Sequence, residues 1–150
     1  MAVDAEAVKS LREKTGVSFM ECRKALEEAG GDLEKALAVL GVRAAAAAAK
    51  KANRALGAGT VAAYVHSTGQ VGALVLLNCE TDFVSKNEDF KTLARDIAMH
   101  ISAMRPENKE ALLAQEFIKD PSKTVAELIA SGTQKFGERI DLGGFSVLGV

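Results

Sequence analysis

Val61-Ala62-Ala63-Tyr64-Val65-His66-Ser67-Thr68-Gly69-Gln70-Val71-Gly72-Ala73-Leu74-Val75-Leu76-Leu77 is the stretch that decides the class of fold. Val61, Ala63 and Val65 alternate with Ala62, Tyr64 and His66, which is the period of a strand. Ser67 to Gln70, containing Gly69, reads as a turn, and an apolar run resumes from Val71 to Leu77. Two such runs around a short glycine-containing turn predict a β-hairpin. The segments on both sides carry helical periods, so the chain reads as α+β.

Downstream of the hairpin, Asn78-Cys79-Glu80-Thr81-Asp82-Phe83-Val84 fits neither period. Phe90, Leu93, Ile97, Ile101 and Met104 then recur at three and four, the signature of an amphipathic helix. Pro106 breaks that helix and is expected to open a short one through Leu112 and Leu113. Asp120-Pro121-Ser122 is expected to start another, with Val125, Leu128 and Ile129 inward and Gly132 at its end. In the tail, Ile140, Leu142, Phe145 and Val147 suggest a third strand, bent or bulged at Gly143-Gly144.

Upstream, Ala44 to Ala49 followed by Lys50, Lys51, Asn53 and Arg54 is a strong helix former with a basic end, stopped by Gly57 and Gly59. It reads as a linker helix, 43–57, between a unit at 1–42 and a core at 58–150. The first unit reads as three short helices. Val8 and Leu11 share a face, and Thr15-Gly16 breaks the first helix. Ser18 is an N-cap with Glu21 placed for a capping box, and Phe19, Met20, Cys22, Ala25 and Leu26 follow. Gly30-Gly31 ends that helix, and Asp32 caps a third carrying Leu33, Ala36, Leu37 and Leu40.

Composition removes several function classes. The 19 basic and 20 acidic residues nearly cancel, so neither strong nucleic-acid binding nor an anionic membrane surface is expected. With no Trp and one Tyr there is no base-stacking platform. Cys22 and Cys79 are far apart, without metal-ligand spacing, and read as reduced thiols of a cytoplasmic protein. No secretory leader is visible, and the alanine run is too short to span a bilayer. His66 and His100 have no paired carboxylate motif and read as surface or boundary residues. Gly57-Ala58-Gly59 precedes a strand, whereas a phosphate loop follows one and leads into a helix, so no nucleotide site is expected. The chain reads as a binding protein, not an enzyme, with no cofactor.

Two stretches together resemble elongation factor Ts. The first is Val8-Lys9-Ser10-Leu11-Arg12-Glu13-Lys14-Thr15-Gly16, continuing through Met20-Glu21-Cys22-Arg23-Lys24-Ala25-Leu26 and Gly31-Asp32-Leu33-Glu34-Lys35-Ala36. The second is Leu77-Asn78-Cys79-Glu80-Thr81-Asp82-Phe83-Val84 with Asn87 and Phe90. The linker Ala48-Ala49-Lys50-Lys51-Ala52 with Arg54 is also similar to that family, as is Pro121-Ser122-Lys123-Thr124-Val125. The resemblance implies an N-terminal ubiquitin-associated-like three-helix domain and an α+β core. It implies the GTPase elongation factor Tu as partner, in its GDP-bound and nucleotide-free forms. It further implies that Thr81, Asp82, Phe83 and Val84 form the acting segment, with Phe83 wedging near the partner's magnesium site and Asp82 holding the loop or touching the partner. Arg12, Met20 and Arg23 are the corresponding candidates for docking by the first unit.

Competing roles accompany each residue. Phe83 at a helix start would ordinarily be core, but its place after Glu80-Thr81-Asp82 favours an exposed role. Met20 would be small-domain core, and Arg12 and Arg23 solvated charges. The chain also departs from the family: one core subdomain where many members have two, no helical hairpin insertion, Leu77 where an acidic residue is common, and Gly143-Gly144 in place of two basic residues. A homodimer would restore the missing part of the interface. Two other functions stay open at the level of sequence: a helical protein-interaction module resting on residues 4–41, and an RNA-binding translation accessory protein using Lys50, Lys51 and Arg54.

Overall fold

Short polar side chains start the first three helices. In the computed structural model, which describes residues 2–150, Asp4 accepts from the Glu6 amide (3.1 Å), Ser18 from Glu21 (3.3 Å) and Asp32 from Lys35 (3.0 Å). Each satisfies an amide that the first turn leaves without a partner. The helices are α1 (Ala5–Thr15), α2 (Phe19–Glu28) and α3 (Leu33–Lys50). Glu21 does not close the expected capping box. Its carboxylate reaches Arg43 of α3 (3.0 Å), which also holds Glu28 (2.6 Å). Val8, Leu11, Cys22, Leu26 and Leu40 meet in a small core between the three helices.

The expected linker helix is not a separate element. α3 runs unbroken from Leu33 to Lys50 and ends in turns, so the third helix of the first unit and the alanine run are one rod. Nothing between Leu40 and Ala44 breaks it: Gly41 costs some helix propensity, but the alanines beyond it restore more. Ala44 is buried and Ala47 and Ala48 half-buried where α3 packs along α7 (Val125–Phe136). Lys51 Nζ donates to the Gly137 carbonyl (3.0 Å), tying the end of the rod to the end of α7.

The hairpin forms as read, from β1 (Ala58–Val65) and β2 (Val71–Cys79). β5 (Asp141–Gly149) pairs antiparallel on the other side of β2, giving the order β1-β2-β5. The register shifts between Leu76, opposite Gly144, and Leu77, opposite Leu142, so Gly143 is the extra residue of a bulge. A Cβ there would stand 2.5 Å from Asn78 Nδ2 and 2.8 Å from the Leu76 side chain, which is why the position is glycine. Ala62, Ala73, Val75 and Leu77 turn one sheet face inward, against α5 (Glu88–Met104). Val61, Val65, Leu74 and Leu76 turn the other face to solvent.

Further expectations are corrected in α5 and beyond it, where α7 runs through Gly132 and ends at Gly137. Pro106 does not open a helix. Arg105 adopts a left-handed conformation (φ 45°) and ends α5, its amide bonding back to the Ile101 carbonyl, and Asn108 caps the short α6 (Lys109–Ala114). Asp120-Pro121-Ser122 is not a helix start but part of β4 (Asp120–Thr124), paired with β3 (Glu116–Phe117). Asp120 Oδ1 accepts from both the amide and the hydroxyl of Ser122, a local bond that competes with the helix, and these bonds hold its carboxyl below the usual carboxylate range. α7 begins at Val125 behind a complete Thr124–Glu127 capping box.

His100 is also corrected. It lies wholly buried in α5, with Nδ1 accepting from the Ile118 amide (3.2 Å) and Nε2 bonded to Gln115 Oε1 (2.9 Å). This pattern puts the proton on Nε2 and pins the two residues flanking β3 to α5. His66 is exposed, as read.

Candidate partner-binding site

The segment without a period, 78–84, turns the chain from β2 into α5. Glu80 and Thr81 lead into α4 (Asp82–Ser85), a single helical turn. Thr81 is its N-cap, accepting from the Val84 amide (3.4 Å). Val84 and Ser85 are buried beneath the turn. Thr60 of β1 donates to the Ser85 carbonyl (2.8 Å), and Ser85 Oγ donates to the Asp82 carbonyl (3.1 Å). Phe83 points the other way and is 86% exposed. Its competing role as a core residue is therefore excluded, since core belongs to its neighbour Val84.

Asp82 is exposed and holds the turn through its backbone, whose carbonyl also accepts from the Lys86 amide (3.1 Å). The next residues prepare α5: Asn87 caps it by accepting from the Asp89 amide (2.8 Å). The whole stretch is thus a one-turn helix set between a strand end and a long helix, with one large apolar side chain left in water.

Residues far away in sequence brace this turn. Glu138, just past α7, accepts from the amides of Glu80 (3.2 Å) and Thr81 (3.0 Å) through Oε1, and from the Thr81 hydroxyl (2.7 Å) through Oε2. Glu80 returns the contact. Its Oε2 accepts from the Arg139 amide (2.6 Å) and pairs with Arg54 (3.5 Å). Arg139 in turn donates to the Arg54 carbonyl (2.7 Å). Sequence reading missed Glu138, Arg139 and the internal use of Arg54; no local pattern marks them. Cys79 lies buried under the same turn and donates to the Thr81 carbonyl (3.3 Å). Burial, and after it the nearby Glu138 carboxylate, push its thiol pKa up, so the sulfur stays protonated and unreactive.

The docking candidates of the first unit lie elsewhere. Met20 is 57% exposed at the start of α2, so it is not small-domain core. Phe19 beside it is also exposed, a feature the sequence reading did not single out. Arg12 is exposed in the last turn of α1. Arg23 is exposed on α2 and ion-paired with Glu27 (2.9 Å), a surface contact that is weak in water. Among the described residues, no group of three or more His, Cys, Asp or Glu side chains is placed to hold a metal ion, and no helix is long and apolar enough to cross a membrane.

The family model described as Elongation factor TS matches residues 33–108 and 80–150. The chain is 41% identical to elongation factor Ts of Leptospira biflexa serovar Patoc over 191 aligned positions, covering 97% of this chain and 96% of the relative. It is 43% identical to elongation factor Ts of Acetivibrio thermocellus (95% of this chain, 87% of the relative). It is 45% identical to that of Thermosipho melanesiensis (91% and 77%). An alignment of 191 positions exceeds the 150 residues present here, so the Leptospira relative carries internal residues that this chain lacks.

Proposed function

The chain belongs to the elongation factor Ts family, with a role in translation elongation, and from that premise we propose that it is a guanine nucleotide exchange factor for elongation factor Tu. It acts by binding that GTPase in its GDP-bound and nucleotide-free forms, in the cytoplasm, and makes or breaks no bond itself. Thr81, Asp82, Phe83 and Val84 are the acting segment. The observation that carries this reading is Phe83, a large apolar side chain left 86% exposed on a turn that is otherwise braced on every side.

A bound Mg²⁺ neutralises phosphate charge and helps to hold GDP in the partner. Phe83, inserted between helices beside that ion, displaces the structure supporting its water shell, and the diphosphate then loosens. Burying the Phe83 side chain supplies about 1.5–3 kcal/mol. That is part of the required work, so docking by the first unit, through Arg12, Met20 and Arg23, supplies more. Coupling is reciprocal: a factor that weakens nucleotide binding is itself expelled when nucleotide returns. Exchange is accelerated without a choice between GTP and GDP.

The RNA-binding alternative is weakened by the linker's own contacts. Lys51 is engaged with the Gly137 carbonyl and Arg54 with Glu80, so two of its three basic side chains already serve the fold. A second copy of this chain is the further partner we propose, seated on the outer sheet face formed by Val61, Val65, Leu74 and Leu76, an apolar patch of the kind that marks interfaces.

The test is release of a fluorescent GDP analogue from elongation factor Tu with this chain at a small fraction of the GTPase. Multiple-turnover acceleration is expected; release at the spontaneous rate would sink the exchange function.

A further inference from the structure

We propose that Glu138 is a positioning residue for the exposed phenylalanine: its carboxylate sets the direction in which Phe83 leaves the fold. The proposal rests on the reading of Phe83 given above and adds the device that presents it.

α4 has four residues, and one helical turn has little persistence of its own. Phe83 gains almost no packing to hold it. Its direction must therefore come from what fixes the turn on either side. On the C-terminal side, Val84 and Ser85 are buried and Thr60 holds the Ser85 carbonyl. On the N-terminal side the fixed point is Thr81, whose amide and hydroxyl both donate to Glu138. The Glu80 amide donates to the same carboxylate. Three donors on one ionised acceptor are charge-assisted bonds, stronger than neutral ones and directional.

Glu138 is itself held in place. It follows Gly137, which ends α7 in the left-handed conformation (φ 72°), and precedes Arg139, whose amide is bound by Glu80. The two glutamates thus clamp each other's backbone, and the turn is anchored to the end of α7 and, through Arg54, to the segment that leads back to α3. Thr81 is exposed and Glu80 only half-buried, so water can replace the carboxylate if it is removed. The loss then falls on the orientation of the turn and not on the core. A preordered Phe83 lowers the entropic cost of inserting the ring, a step that follows docking by the first unit.

The experiment compares wild type, Glu138→Ala, Glu138→Gln and Phe83→Ala. GDP release from elongation factor Tu is measured over a range of factor concentrations. In the free chain, Thr81 amide exchange and the ¹⁹F signal of fluorophenylalanine at position 83 report order in the turn. Glu138→Ala is expected to lower the limiting release rate towards that of Phe83→Ala, while half-saturation changes little. Thr81 protection falls with it. Glu138→Gln, whose carbonyl still accepts both amides, recovers most of the rate and the protection. An unchanged Thr81 amide and position-83 signal in Glu138→Ala overturn the proposal whatever the release rate. So does an unchanged limiting rate in Glu138→Ala beside a defective Phe83→Ala. If Phe83→Ala releases GDP as fast as wild type while Glu138→Ala loosens the turn, the positioning of Phe83 stands and its role in exchange falls.

Discussion

Phe83 and Val84 share a peptide bond and face opposite ways: Phe83 is 86% exposed, whereas Val84 is 5% exposed beneath the turn. Substituting each by alanine therefore separates function from stability. Phe83→Ala removes nothing from the core, and its stability should stay within about 0.5 kcal/mol of wild type. Val84→Ala opens space under the turn and should cost roughly 1–3 kcal/mol. Urea unfolding midpoints with unchanged slopes check both. In the GDP-release assay Phe83→Ala should be the more defective of the two. Equal defects would mean that the turn as a whole, and not the exposed ring, does the work.

The sequence carried the parts of this fold whose signals are local. Alternation from Val61 to Leu77 marked the hairpin, the spacing of Phe90, Ile97 and Ile101 marked α5, and the glycine pair at 143–144 marked the bulge in β5. β3 and β4 were hidden because one strand has two residues and the other opens with Asp120-Pro121-Ser122, which imitates a helix start. Position relative to the core was harder to read than element type. Nothing near Phe83 distinguishes an exposed ring from a buried one except the polar residues before it. Glu138 lies 57 and 58 residues from the amides it holds, and His100 lies 15 and 18 from its partners, so tertiary closure alone brings these groups together.

His100 gives a stability prediction free of any functional reading. His100→Ala removes a wholly buried ring, leaves the Ile118 amide without its acceptor and releases Gln115. Cavity and lost hydrogen bonds together should cost about 2–5 kcal/mol. Chemical denaturation measures the total. Native-state amide exchange should show Ile118 deprotected first. Were Ile118 to stay protected, the imidazole would not be the group that pins the end of β3.

Cys79 carries a pH dependence whose sign follows from its environment. Burial and the Glu138 carboxylate raise its folded pKa above the ordinary 9.0. The folded state thus holds the proton more tightly than the unfolded chain. The contribution to stability is fully present below pH 9.0 and is lost as the pH rises through the raised folded value. Alkylation at neutral pH, followed by peptide mapping, should leave Cys79 unmodified in the folded chain and modify it fully in urea. Fast labelling of Cys79 in the folded protein at neutral pH would contradict its burial.

Met20 separates docking from displacement. It is exposed and distant from the braced turn in sequence, so Met20→Ala should leave both stability and the order of the turn unchanged. If the first unit supplies binding energy, the substitution raises the factor concentration needed for half-maximal GDP release and spares the limiting rate, because uniform binding is lost. Arg12→Ala should act in the same direction. A fall in the limiting rate with unchanged half-saturation would place these residues in displacement itself.

Leu74 tests the second copy of the chain. It is 51% exposed at the middle of the outer sheet face, opposite Ala63 on β1 and Ser146 on β5. Leu76 stands on the same face, and there Gly144 opposite it adds no side chain to cover it. A Lys at position 74 places a charge at the centre of the patch, where pairing two copies would bury two like charges, yet it touches nothing in the core behind the sheet. Sedimentation across a range of concentrations should show wild-type chains associating and Leu74→Lys remaining monomeric with an unaltered unfolding midpoint. If wild type sediments as a monomer throughout, the second copy is ruled out as a partner of this face. GDP release by that monomer would then show that a single core subdomain suffices for exchange.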